Sequence, residues 1–141
     1  MKPRITVLTL AVDDLERSVA FYRSLGFSTD GIVGREFENG AVAFFDLQTG
    51  LKLALWPRKS LAADVGLPVG ETSALEFSVG HNVWSRDEVD AVMEQAGDAG
   101  AVIVKNAAAT FYGGYAGYFQ DPDGHLWEVV FNPGLAVGDE S

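Results

Sequence analysis

A chain that repeats one structural unit must fold as copies of that unit, and this sequence of 141 residues carries one such repeat. At an offset of 67, Val7-Leu8-Thr9-Leu10-Ala11-Val12 meets Ala74-Leu75-Glu76-Phe77-Ser78-Val79. At an offset of 74, Phe44-Phe45 meets Tyr118-Phe119, Gly50 meets Gly124, and Lys52-Leu53-Ala54-Leu55 meets Leu126-Trp127-Glu128-Val129. A unit this long, occurring twice, does not suit a solenoid, in which many short units stack in series. It predicts an α+β fold of two βαβββ modules that share one cavity.

The local signals agree with that unit. Ile5 to Val12 is a β-rich run, and Asp13-Asp14-Leu15-Glu16 then sets an Asp N-cap three residues before a Glu. In that arrangement each side chain satisfies a free N–H of the first helical turn. Leu15, Val19, Tyr22 and Leu25 follow at helical spacing, leaving Arg17 and Ser18 for the other face, and Gly26 supplies the stop. Strands are expected around 28–33, 41–47 and 51–57, joined by Asn39-Gly40 and Thr49-Gly50 turns. Residues 58–72 lose the alternation and read as a linker with one helical turn near Leu61–Val65.

The pattern restarts with a strand over Ser73–Val79 and a second capping box at Ser85-Arg86-Asp87-Glu88. Val89, Val92, Met93 and Ala96 form the inward stripe of a helix that Gly100 closes. Strands over 101–105, 115–119 and 125–131 complete the unit, the last two joined by the Asp121-Pro122-Asp123-Gly124 turn. The sequence thus predicts one domain over 1–141, with module 1 at about 4–57, module 2 at about 73–133 and a loose tail over 134–141 holding Asp139 and Glu140.

Charge narrows the partners. A formal net charge of −10 repels phosphate backbones and anionic lipid, which argues against nucleic-acid and membrane-surface roles. There are no cysteines, so disulfides, thiolate metal sites and thiol nucleophiles are excluded. No apolar stretch approaches the roughly 18 residues of a membrane span, and no leader pattern opens the sequence, so the cytoplasm is the expected location. Gly113-Gly114 lacks the lysine and helix start of a phosphate-cradling loop, and no Gly-x-Ser-x-Gly occurs.

Two motifs carry a family resemblance. Val12-Asp13-Asp14-Leu15-Glu16-Arg17-Ser18, with Phe21-Tyr22 and Leu25-Gly26-Phe27, is similar to the opening strand and helix of the vicinal oxygen chelate superfamily. Gly117-Tyr118-Phe119-Gln120-Asp121-Pro122-Asp123-Gly124-His125-Leu126-Trp127-Glu128 is similar to that family's closing hairpin. With the repeat, the resemblance spans about residues 4–133. It implies the glyoxalase/bleomycin resistance fold, in which both modules curl a mixed sheet around a cup, and it implies a homodimer. The fold serves lyases, isomerases, dioxygenases and non-catalytic drug binders alike, so it does not fix an activity.

The resemblance also implies four metal-ligand positions, here Val7, Ala54, Ala74 and Glu128. Divalent ions at such sites need imidazole nitrogen or carboxylate oxygen, and valine and alanine have neither. Shifting the register by one residue does not help, because Val7 is flanked by Thr6 and Leu8, and Ala54 by Leu53 and Leu55. No metal or other cofactor is therefore expected.

What remains is an acidic and aromatic set. Glu128 shares a strand face with Leu126 and Val130, so inside the cup it needs a ligand cation, a hydroxyl or a neighbouring tyrosine as partner. Glu76, expected on the face of Ala74 with Thr9 as its repeat mate, is a second carboxylate. His81 is expected near the cup rim, and His125 in turn packing. Phe111-Tyr112-Gly113-Gly114-Tyr115 reads as an aromatic loop on a glycine hinge, and Trp56 and Trp84 stand at element ends; such rings can wall a planar or cationic ligand. The expected function is metal-independent binding of a small molecule, such as a drug or natural product to be sequestered. The alternative is an enzyme of the glyoxalase or dioxygenase type, using a divalent metal or Glu128 as a base.

Overall fold

In the computed structural model, which describes residues 1–135, the chain divides into two compact units at the point where the sequence pattern restarts, Met1–Thr72 and Ser73–Ser141. The tail residues Asp139 and Glu140 lie outside the described residues. Among the described residues no helix is long and apolar enough to cross a membrane.

In the first unit the elements are β1 (Val7–Val12), α1 (Leu15–Ser24), β2 (Ile32–Val33), β3 (Val42–Asp46), β4 (Lys52–Pro57) and α2 (Arg58–Val65). The sheet order is β1-β4-β3-β2, with β1 parallel to β4 and the other pairs antiparallel. The second unit repeats this with β5 (Val79–Asn82), α3 (Arg86–Ala99), β6 (Val102–Ala109), β7 (Tyr115–Gln120) and β8 (Leu126–Phe131), in the order β5-β8-β7-β6. The expected α+β architecture of two βαβββ units is thus observed, with one further helix.

Period-2 alternation decides which residues each sheet buries. In the first unit Leu10, Val12, Ala43, Phe45, Leu53 and Leu55 are buried on the side covered by α1. Tyr22 of that helix stacks on Phe27 at 5.8 Å between ring centroids and meets Phe45 at 6.0 Å. In the second unit Phe119 and Trp127 stack at 6.0 Å on the side covered by α3, where Met93 lies over Gly117. Each sheet turns its other face away from its helix, and on this open face Phe44, Leu126 and Glu128 keep contact with water.

Several elements depart from the sequence expectation. The cap of α1 is Asp14, whose carboxylate accepts from Arg17 N at 3.0 Å; Asp13 instead pairs with Arg58. That shift places Glu16 one residue short of closing a capping box, and it pairs with Arg35 at 2.9 Å. Ser18, expected to face outward, is fully buried, because helical positions 15, 18, 19 and 22 all fall on the sheet side. β2 keeps only two of its expected residues, since Gly31 and Gly34 both take positive φ and bend the chain away. The linker opens with a helix of eight residues, held at its start by Arg58 on Asp13 and on Ala11 O, and closed by left-handed Gly66.

The largest correction is β5. Residues 73–78 alternate as a strand should, yet the strand starts only at Val79. A strand needs a ladder. Val79 pairs with Trp127, one residue into β8, so only Ser78 would still face a β8 residue, Leu126, and everything before it has no partner.

The repeat must therefore be read in a different register at its first strand. Thr9 opposite Ala54 corresponds to Gly80 opposite Glu128, and the cap Asp14 corresponds to the cap Ser85, each 71 residues on. The offset of 74 holds at the closing hairpin, where Phe44 faces Ala54 and Tyr118 faces Glu128.

Candidate functional site

On β8, Trp127 and Val129 point to α3, so Leu126, Glu128 and Val130 lie on the opposite face, Leu126 and Glu128 half-buried and Val130 buried. Glu128 lies in a row that runs across the sheet, with Gly80 on one side and Tyr118 then Lys105 on the other. Tyr118 Oη donates to Glu128 Oε2 at 3.0 Å. Burial pushes the Tyr118 phenol above its ordinary pKa, and the hydrogen bond to Glu128 adds to this, as do the charges of Glu128 and Tyr112. Tyr118 therefore stays a neutral donor and fixes one carboxylate oxygen. The other oxygen has no protein partner, and no cation stands within ion-pair distance of Glu128 among the described residues.

The remaining candidates are scattered over other places. Tyr112 stands in the turn between β6 and β7, edge-to-face with the fully exposed Phe111 at 5.2 Å. Their hairpin is tight, with Thr110 N bonded to Gly114 O and Gly114 N to Thr110 Oγ1. Tyr115 belongs to the opposite face: its hydroxyl donates to Asp90 of α3 at 2.8 Å, and Arg86 lies over its ring. His81 is also on the helix side, in line with Val129 and Gly117. Trp84 is exposed just before the Ser85 cap and donates its backbone N–H to Glu88. Glu76, like Ala74, lies in the turn and bend ahead of β5 and on no strand face, so its expected correspondence to Thr9 in the repeat does not hold.

Desolvation lowers the pKa of His81, opposed by the charge of Glu88, although the ring keeps contact with water. The expected result is a histidine neutral at pH 7, with an NMR titration midpoint below that of a free imidazole. A midpoint above it would mean that the Glu88 charge outweighs burial.

In the first unit the equivalent row is Thr9, Ala54 and Phe44, an apolar version of Gly80, Glu128 and Tyr118. Trp56 lies on that same face, its indole N–H bonded to Asn39 O at 2.9 Å. A shallow cavity of about 460 Å³ opens at the far edge, between Phe44, the Lys52–Asp46 ion pair and residues 28–31.

Sequence reasoning expected a tyrosine beside Glu128 without naming Tyr118, and it missed Gly80 as a neighbour of the site. The hairpin turn at 121–124 fixes the register that sets Tyr118 against Glu128, so that pairing had a signal. Gly80 had none until β5 was placed.

Two donor sets bear on a metal. Of the positions implied by the resemblance, Val7 and Ala54 carry no donor, and the corrected register moves the third from Ala74 to Ser78, a hydroxyl. With Glu128 alone in support, that set does not fit a divalent ion. Asp121, Asp123 and His125 offer donor atoms within 4.8 Å of one another. There, however, Asp121 Oδ1 accepts from Asp123 N and His125 N at 2.9 Å each, and Oδ2 meets His125 Nδ1 at 2.8 Å. Those oxygens are committed to building the turn.

Comparison with known proteins follows this geometry. The model of the Glyoxalase/Bleomycin resistance protein/Dioxygenase superfamily matches residues 4–129. A glyoxalase-related enzyme from Fulvimarina pelagi is 35% identical, with 96% of this chain and 93% of that one covered and a TM-score of 0.79. A glyoxalase/bleomycin resistance protein/dioxygenase from Nocardioides is 28% identical, covering 100% of this chain and 91% of the other at a TM-score of 0.75. A lactoylglutathione lyase from Agrobacterium tumefaciens is 23% identical over 94% of this chain and 98% of its own, with a TM-score of 0.65, a likeness of fold alone. No curated protein matches the chain.

Proposed function

We propose that this chain, which belongs to the glyoxalase/bleomycin resistance protein/dioxygenase superfamily, binds a small organic molecule without a metal ion and anchors it on Glu128. The observation that carries this reading is the donor set: Val7 and Ala54 offer no donor and Ser78 only a hydroxyl, while Glu128 keeps a carboxylate oxygen without a protein partner among the described residues. A half-buried carboxylate with no cation nearby is stabilised by a ligand ammonium or hydroxyl. The acidic chain favours the cationic form. Affinity beyond that contact comes from apolar and aromatic burial on the same sheet face, where Leu126 and Tyr118 offer surface. Sequestration of a drug or natural product suits such a site. The resemblance supports a homodimer, and light scattering on the purified protein tests it.

Metal analysis by mass spectrometry on untagged protein is the direct test, with thermal shifts in Ni, Zn, Mn and Fe(II). The expected outcome is substoichiometric metal and no rise in melting temperature. One bound ion per chain would overturn the reading and bring forward the enzyme. That second reading, with Glu128 taking a proton from substrate, is favoured by one observation: the structure 35% identical to this chain is described as an enzyme.

A further inference from the structure

Glycine in a strand has three common reasons: a backbone conformation other residues avoid, a neighbour too close for a side chain, or room for something else. Gly80 has neither of the first two. Its φ is not positive, and a Cβ built there meets nothing nearer than Asn82 Oδ1 at 3.7 Å. It is exposed, it lies directly opposite Glu128, and it leaves an opening on the side of the carboxylate away from Tyr118.

Two acceptors border that opening. Tyr118 occupies Glu128 Oε2, which leaves Oε1 free, and Asn82 Oδ1 faces the vacancy from two residues along the same strand face. Neither the Asn82 side chain nor the free oxygen of Glu128 has a protein partner among the described residues. Two acceptors, one of them a carboxylate, ask for a cation that also donates hydrogen bonds. An ammonium group with N–H donors meets that need; a quaternary ammonium has the charge without the donors.

We propose that Gly80, Asn82 and Glu128 form a notch for the primary ammonium group of a small aromatic or aliphatic amine, with Gly80 as the residue that admits it. This rests on the metal-free binding reading above and deepens it by naming the ligand class. Tyr118 is a positioning residue here: its hydrogen bond holds the carboxylate in one orientation.

Benzylamine is the probe, titrated into uniformly labelled protein and followed by amide NMR at Gly80 and at the Asn82 backbone and side chain. Saturable shifts are expected, with benzyltrimethylammonium binding about tenfold more weakly because it has no N–H to donate. Gly80→Val, whose β-branched side chain suits a strand and should leave the fold intact, is expected to weaken benzylamine about tenfold by filling the notch, and Glu128→Gln to do the same by removing the charge. Unchanged affinity in Gly80→Val overturns the notch; if Glu128→Gln still loses binding, the metal-free reading survives that failure. Equal binding of the two amines, or no saturable shift with benzylamine, overturns the ammonium assignment. Only stoichiometric metal, read separately by mass spectrometry, overturns the underlying reading.

Discussion

Phe45→Ala is expected to destabilise the first unit by about 3–5 kcal/mol, seen as a lower urea midpoint in far-UV circular dichroism. Phe45 is fully buried and joins two other rings, Tyr22 at 6.0 Å and Phe27 at 6.3 Å. Removing it takes away the transfer free energy of the ring and leaves a cavity between β3 and α1 that close-packed neighbours fill only partly. Its chain neighbour Phe44 provides the control. That ring is on the open face and 42% exposed, so Phe44→Ala should cost about 1 kcal/mol or less. Equal losses for the two variants would mean that the sheet does not divide its faces as described. In the second unit Phe119 holds the place of Phe45 and stacks on Trp127, so Phe119→Ala should lower stability there in the same way.

That correspondence was legible in the sequence because a hairpin carries its own ruler. The 74-residue offset joins Phe44-Phe45 to Tyr118-Phe119 through turns whose Gly50 and Gly124 both take positive φ, and a turn fixes register within a few residues. The first strand of each unit has no such ruler, since its partner lies 45 residues away in the first unit and 48 in the second, in parallel pairing. Alternation in Leu75-Glu76-Phe77 matched that of Val7-Leu8-Thr9 well enough to suggest an offset of 67, yet alternation reports a face and not a partner. The two caps, Asp14 and Ser85, held the better clue, because they are fixed points from which each strand can be counted back.

The candidate site suffered from the same error. Once β5 moves by four residues, Glu76 leaves the sheet and Gly80 takes the place opposite Glu128. His81 and Tyr115 were chosen for their chemistry, but a period of two puts both on the helix side, where Tyr115 is tied to Asp90. Glu128 keeps its expected strand position because that strand was placed by the hairpin. What the sequence could not show was the missing cation: an unpaired carboxylate is a statement about surroundings, and those exist only after folding.

Asp121→Ala is expected to cost about 3 kcal/mol and to loosen the β7–β8 hairpin that carries both Tyr118 and Glu128. Asp121 is 2% exposed, and it is the hub of the Asp-Pro-Asp-Gly turn: it accepts the N–H groups of Asp123 and His125 and meets the His125 ring. Alanine leaves two backbone donors and an imidazole nitrogen without that acceptor, in a turn too closely packed for water to replace all three at once. Asp121→Asn keeps one carbonyl oxygen for the backbone donors and should recover more than half of the loss. Urea unfolding measures the stability term, and amide exchange along β7 and β8 reports the loosening. The same argument separates a turn clamp from a metal site at Asp121, Asp123 and His125. If the carboxylate is spent on the turn, Ca or Zn leaves the melting temperature unchanged, and Asp123→Asn, which keeps the backbone N–H that Asp121 accepts, is close to neutral. A metal-dependent rise in melting temperature that Asp123→Asn abolished would show that the cluster binds an ion at the expense of those hydrogen bonds.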